Sequence, residues 1–386
     1  MVDSNPAGLN LMNLASGTSQ NPLAWPMPMI MQHYGNWNAM FMGNGFLADT
    51  QQSGPRGGDK LYSPNWFMAS AERRAGAKGA FEAVLMLSLE PATVTDRRYP
   101  LLFQTGETAY GAPLVDAQHP HNFIMELGLH YTHQLGEETF LDFYVAPVGD
   151  PALGPAAYPH RASAMELPQA TLSHHLQDST HISDDVVTLG IAHKKFKLEA
   201  SGFHGAEPGE NRWTIQAGAI DSWAARLWYF PSKNWAAQVS AGQLARPEAL
   251  EPGDQVRATA SLEYFRPMRG SSWSSSLIWG RTHNTALGRN LNSYLAESVV
   301  PVAPNDFLTG RFELVDKAEL FPESPPYRIR AYTLGYTRDL PFFSHLETGV
   351  GANLSFYSIP HALQPVYGEH PAGGNIFIRF RLKPTA

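Results

Sequence analysis

The stretch Gln255–Phe265 reads QVRATASLEYF. Val256, Ala258, Ala260, Leu262 and Tyr264 alternate with Arg257, Thr259, Ser261 and Glu263. Successive side chains of a strand point to opposite faces, so this period of two makes one apolar face and one charged face. Small and apolar groups on one side with charges on the other suit a wall that has lipid outside and a polar lumen inside. The pattern recurs in FEAVLMLSLE, Phe81–Glu90, and in NIFIRFRL, Asn375–Leu382.

Working outward, sixteen stretches of this kind run from Trp37–Ala48 to Asn375–Leu382. Most approach the roughly 9–11 residues that a tilted strand needs to cross a bilayer. Short connections such as AGAKG, QLGEE and PSKN alternate with long ones, of which Pro91–Pro120 and Pro147–Asp185 are the longest. An up-and-down barrel has this rhythm, with tight turns at one rim and large loops at the other. No blade-like repeat points to a propeller instead. The expected fold is an all-β transmembrane antiparallel barrel of about 16 strands over residues 36–386, preceded by a flexible lead over 1–35. The two longest loops are expected to plug or cap the outer mouth. Trp37, Trp66, Trp223, Trp235, Trp273, Phe342 and Phe343 sit near strand ends, as interfacial girdles do.

Composition agrees. Charged residues make up 16% of the 386, against roughly 25% in ordinary soluble domains, while 11% are aromatic. No apolar run reaches the ~18 residues of a membrane helix. The chain has no cysteine, which excludes disulfides, thiolate metal sites and covalent haem. A net charge of −7 argues against a nucleic-acid partner. No phosphate-binding loop or dinucleotide fingerprint occurs. The N-terminus, MVDSNPAGLNLMNLASGTSQNP, lacks a basic and an apolar signal region. Either the chain is not secreted or its signal peptide is missing from this sequence; the second is expected, with a bacterial outer membrane as the destination.

Chemistry-bearing residues gather in the long loops. The sequence VDAQHPHNFIMELGLHY, Val115–Tyr131, places Asp116, His119 and His121 just before a strand. In that strand Phe123, Met125, Leu127 and Leu129 are expected to face lipid, and Glu126 and His130 the lumen. The next long loop carries His160, His174, His175, Asp178 and His181. Imidazole and carboxylate donors suit Cu²⁺, Zn²⁺ or Ni²⁺, and the spacings HxH and HHxxxxxH each supply two or three ligands. The metal set read from sequence is therefore Asp116, His119, His121, His160, His174, His175, Asp178 and His181. The same residues also suit a loop in which buried polar groups satisfy one another. By parity, Met40, Met42, Met86, Glu82, Glu90, Glu126, His130, Arg257, Glu263, Arg311 and Arg379 line the lumen. Thioethers select Cu(I), so methionine beside histidine favours copper.

The segments GPRGGDK, LMLSLEPATVTDRRYPLLFQTGETA, DAQHPHNF, DPALGP, HRASAMELPQ, HHLQDSTHI, GFHGAEPGENRW and RPEALEP resemble a family of bacterial outer-membrane barrels. The lead is similar, more loosely, to that of CopB-type copper-resistance barrels, though it carries fewer Met and His. The resemblance implies an outer-membrane barrel in a copper-handling setting.

The function expected from all this is binding or passage of a metal ion, copper or another divalent ion, through the His- and carboxylate-rich loops. Its partners would be outer-membrane lipid, metal ions and a periplasmic protein. The alternative is a porin-like channel or scaffold barrel with the loops as a structural plug. A third reading, a lipid hydrolase built on DSTH (Asp178, Ser179, His181) or on HRAS (His160, Ser163), lacks a GxSxG motif.

Overall fold

The computed structural model describes residues 11, 14–268, 271–321 and 324–383. Sixteen antiparallel strands form the wall. They are β1 Trp37–Gln52, β2 Asn65–Ala75, β3 Gly79–Leu87, β4 Ile124–Gly136, β5 Thr139–Gly149, β6 Ser183–His193, β7 Phe196–His204 and β8 Ser222–Tyr229. They continue as β9 Trp235–Leu244, β10 Gln255–Met268, β11 Ser271–Asn284, β12 Arg289–Ala303, β13 Asp306–Lys317, β14 Tyr327–Leu340, β15 Leu346–Ser358 and β16 Ala372–Leu382. Each pairs with the next, and β1 pairs with both β2 and β16, so the sheet closes and has no free edge. Each of the sixteen stretches read from the sequence overlaps one of these strands.

Alternation sets the two faces. In β10 the odd-numbered Arg257, Thr259, Ser261 and Glu263 are buried, whereas Val256 and Leu262 are exposed. Leu277, Leu334, Leu354 and Ile376 are likewise exposed on the outer surface. A closed barrel with apolar groups outside and charges inside needs lipid around it. Trp223, Trp235 and Trp273 are exposed, as a girdle requires, but Trp66 faces inward and donates its indole N–H to the Pro159 carbonyl at 3.0 Å.

The lumen is filled from three directions. The first filler is the lead. From Leu14 to Pro22 it is buried rather than flexible. Ser16 donates to Asp150 at 2.8 Å, Gly17 N–H donates to Glu126 at 3.0 Å, and Thr18 accepts from Arg226 at 3.0 Å. Met29–Tyr34 then runs antiparallel to the first part of β1, on the same edge that β16 takes further along. Residues 1–10, 12 and 13 of the expected lead lie outside the described residues.

The second filler is a hairpin, Tyr99–Ala109 with Ala112–Gln118, inside the loop Pro91–Pro120. Its Phe103 is fully buried against Tyr357 and Tyr367.

The third is the loop 150–182, which crosses the lumen and is tied to the wall by hydrogen bonds. Ala152 and Gly154 N–H donate to Ser201 and Ser240 at 2.8 and 2.9 Å. Ser173 donates to Glu313 at 2.8 Å. Arg161, fully buried, meets Glu297 at 2.7 Å and Asp178 at 3.0 Å. A buried charge persists only when paired in this way.

One register detail corrects a face assignment. β3 pairs with β4 as Met86↔Glu126 and then Leu87↔Ile124, so Met125 is an extra residue in a bulge. Met125 and Glu126 both point inward, while Leu127 and Leu129 face lipid as expected.

Candidate metal centre

Six histidines meet in the lumen. His175 lies 5.3 Å from His119 and 5.1 Å from His174, ring centre to ring centre. His174 is 5.4 Å from His181, and His181 is 5.3 Å from His121 and 6.4 Å from His160. All six are buried. Two long loops bring them together. His119 and His121 flank Pro120 where the first loop joins β4, and the other four come from the loop that crosses the lumen. A one-turn helix, His174–Gln177, presents its two histidines side by side. Its backbone lies so near β11 that a Cβ on Gly280 would stand 2.0 Å from the Leu176 carbonyl oxygen.

Hydrogen bonds fix how four of these rings present themselves. Nδ1 of His121 meets Glu90 at 2.9 Å, and Nδ1 of His174 meets Asp178 at 2.6 Å. Nδ1 of His181 meets the Asp178 carbonyl at 2.9 Å, and Nδ1 of His119 meets the Pro120 carbonyl at 3.1 Å. A carboxylate or carbonyl oxygen only accepts, so each Nδ1 carries a proton, and a neutral ring held this way presents its lone pair at Nε2. Metal-binding histidines are typically held in this fashion by outer carboxylates and carbonyls.

Nε2 of His121 faces the Tyr158 hydroxyl at 3.4 Å, but several of the other nitrogens are unmatched. Nε2 of His119, His160 and His181 and both ring nitrogens of His175 are buried without a hydrogen-bond partner. His119 Nε2 is 3.2 Å from a Glu107 oxygen, but without hydrogen-bond direction. A buried unpaired polar group costs about 1–3 kcal/mol, so a cluster of them needs a physical reason. A bound cation would supply one. Donor atoms of His119, His174 and His175 all lie within 4.8 Å of one another.

Burial also favours the neutral ring. It lowers the pKa of His119, helped by the nearby His174, to about 3. It does the same at His160, with His121 adding to it, again to about 3. His175 and His181 are pushed well below the ordinary range, by burial first and by neighbouring histidines second. These lone pairs are free of protons at neutral pH.

The other residues expected at the metal play different parts. Asp116 accepts from Arg56, the Phe103 N–H and Tyr367, so it anchors the hairpin instead of joining the histidines. Asp178 orients His174 and His181 while bracing Arg161 and the Tyr158 N–H. Burial alone would raise its pKa, but the bonds from His174 and Arg161 hold it below the usual value. Ser179 is held by Arg257 and Glu207, and Ser163 by Glu297 and Ser276, so neither serine hydroxyl has histidine as its base.

All the expected lumen residues are buried inside the wall: Met40, Met42, Met86, Glu82, Glu90, Glu126, His130, Arg257, Glu263, Arg311 and Arg379. Glu90 stands at the start of a one-turn helix, not on the strand, and from there reaches His121. Missed in the sequence were Glu207 and Glu248, whose carboxylates gather with His175 within 4.8 Å.

The methionines form a cluster of their own. Met27, Met42, Met68, Met86, Met125 and Met165 pack around Trp66, whose ring meets His160 edge-on at 4.5 Å. A cavity of about 30 Å³ is lined by Glu90 and His121 together with Trp66 and Met165. The far larger concavities, about 680 and 850 Å³, are grooves on the outer wall lined by residues such as Leu262, Leu277, Leu354 and Ile376. They face lipid and are remote in kind from a polar site.

The fold is that of a porin-type bacterial outer-membrane barrel, and the apolar outer band places the chain in that membrane. Among solved structures, an anion-selective porin from Comamonas acidovorans matches with a TM-score of 0.55 at 12% identity, over 89% of this chain and 99% of that one. Salmonella typhi OmpF, in complex with daunomycin, matches with 0.55 at 7% identity, over 91% and 100%. OmpT of Vibrio cholerae matches with 0.51 at 8% identity, over 91% and 99%. No protein-family model and no curated protein matches the sequence significantly.

Proposed function

We propose that this outer-membrane barrel binds a first-row metal ion, copper foremost, at the histidine cluster inside its lumen. The observation that carries the reading is the convergence of six buried imidazoles, four with Nδ1 tied outward and several with Nε2 unpartnered. Imidazole suits Cu²⁺ as well as Zn²⁺, and the thioether cluster beyond Trp66 adds donors that only a soft ion such as Cu(I) prefers. Copper therefore fits both neighbouring donor sets, and the small cavity between Glu90, His121 and Met165 joins them. The CopB-type resemblance points the same way.

The test is metal content. Purified barrel loaded with Cu²⁺ and dialysed is expected to retain at least one equivalent. A variant with His119, His121, His174, His175 and His181 changed to Ala is expected to retain none. Undiminished copper in that variant, or none in the parent, overturns the proposal.

A further inference from the structure

The histidines do not end the line of donors. His175 belongs to two groups at once, one with His119 and His174 and one with Glu207 and Glu248. Its Nδ1 lies 4.0 Å from Glu207, and neither of its ring nitrogens has a hydrogen-bond partner although the side chain is about nine-tenths buried. One oxygen of Glu207, Oε2, is also buried without a partner. Its other oxygen, Oε1, accepts from Arg257 at 3.1 Å and from Ser179 at 3.3 Å, and Arg257 is 4.0 Å from Glu248. One guanidinium thus serves two carboxylates.

Glu248 also faces outward. With Glu107, Glu251, Glu319, Arg56 and Arg289 it lines a cavity of about 560 Å³ formed by the long loops. Leu250 on its wall is 56% exposed, so the cavity reaches the surface. Long loops of such barrels lie on the external side. Glu107, on the same wall, is the residue beside His119. The cavity therefore meets the buried histidines at two points.

We infer that Glu207, Glu248 and His175 form a second, outer site for a divalent cation, through which the ion arrives from the external cavity, with His175 bridging this site and the inner one as an imidazolate whose remaining ring proton is released to solvent when both are filled. Two carboxylates and one imidazole suit a divalent first-row ion such as Cu²⁺ or Zn²⁺. The inference rests on the inner histidines being metal ligands.

Titration of the chelator-stripped, full-length barrel in detergent with Cu²⁺ tests it, with stoichiometry read by dialysis and elemental analysis. The parent is expected to bind two equivalents. Glu207→Gln with Glu248→Gln is expected to bind one, with its β-sheet circular dichroism unchanged. Should that double variant fail to fold, Glu248→Gln alone, which keeps the Glu207–Arg257 pair, is expected to weaken one equivalent by about 10-fold. A parent with one equivalent that survives the glutamate changes but is lost in His119→Ala with His174→Ala overturns the outer site and leaves the inner one standing. A parent that binds no metal overturns both.

Discussion

At the scale of residues, metal binding turns on what each imidazole nitrogen touches. Glu90 accepts from both the backbone and the ring of His121. Glu90→Gln replaces a carboxylate with a group that can also donate, so the ring loses its fixed tautomer. Copper affinity is expected to fall about 10–100-fold with the barrel intact, as read by competition with a chromogenic chelator. An unchanged affinity would show that His121 is not held for a ligand. Arg161 makes a different claim. Its removal leaves Asp178 buried and short of a cation, while Arg311 still meets Glu297 at 2.9 Å. Arg161→Ala is expected to cost about 3–5 kcal/mol of unfolding free energy in urea, nearer the lower figure. The histidines and Asp178 were legible in the sequence because they crowd two loops. Glu207 and Glu248 were not. They come from two other loops, and no spacing along the chain records that four loops meet over one lumen.

At the scale of elements, period-two alternation exposed every wall strand, because lipid and lumen demand opposite residue types on its two faces. It failed where both faces are buried. The hairpin Tyr99–Ala109 with Ala112–Gln118 lies within the barrel, so its sequence shows no alternation and reads as loop. The bulge at Met125 shifts the faces by one residue, which parity cannot anticipate. The lead looked flexible from its Ser, Asn and Gly content, yet those small polar groups are what the charged inner wall bonds to. Two glycines show how closely the fillers are fitted. A Cβ on Gly106, which has φ +120°, would stand 2.5 Å from the His175 ring, and one on Gly280 would strike the helix that carries His174 and His175. Gly280→Ala lies on the wall, outside the cluster itself. It is expected to lower bound copper while leaving the β-sheet circular dichroism unchanged. Full copper retention would mean that the helix position does not matter to the site.

At the scale of the whole molecule, the barrel is porin-like in fold but not open in its described interior. The lead, the hairpin and the crossing loop occupy the lumen, and the internal cavities beside Met42 and His121 are only about 20 and 30 Å³. Those volumes hold about one or two waters each. Planar-bilayer recordings are therefore expected to show no steady open level, and porin-sized steps would contradict a filled lumen. The central claim is that the lumen holds a metal on imidazole nitrogen. X-ray absorption at the copper edge of the loaded barrel tests it most directly. At least three nitrogen neighbours at roughly 2.0 Å are expected, with the outer-shell scattering of imidazole rings. A shell of oxygen alone, without imidazole scattering, would contradict it.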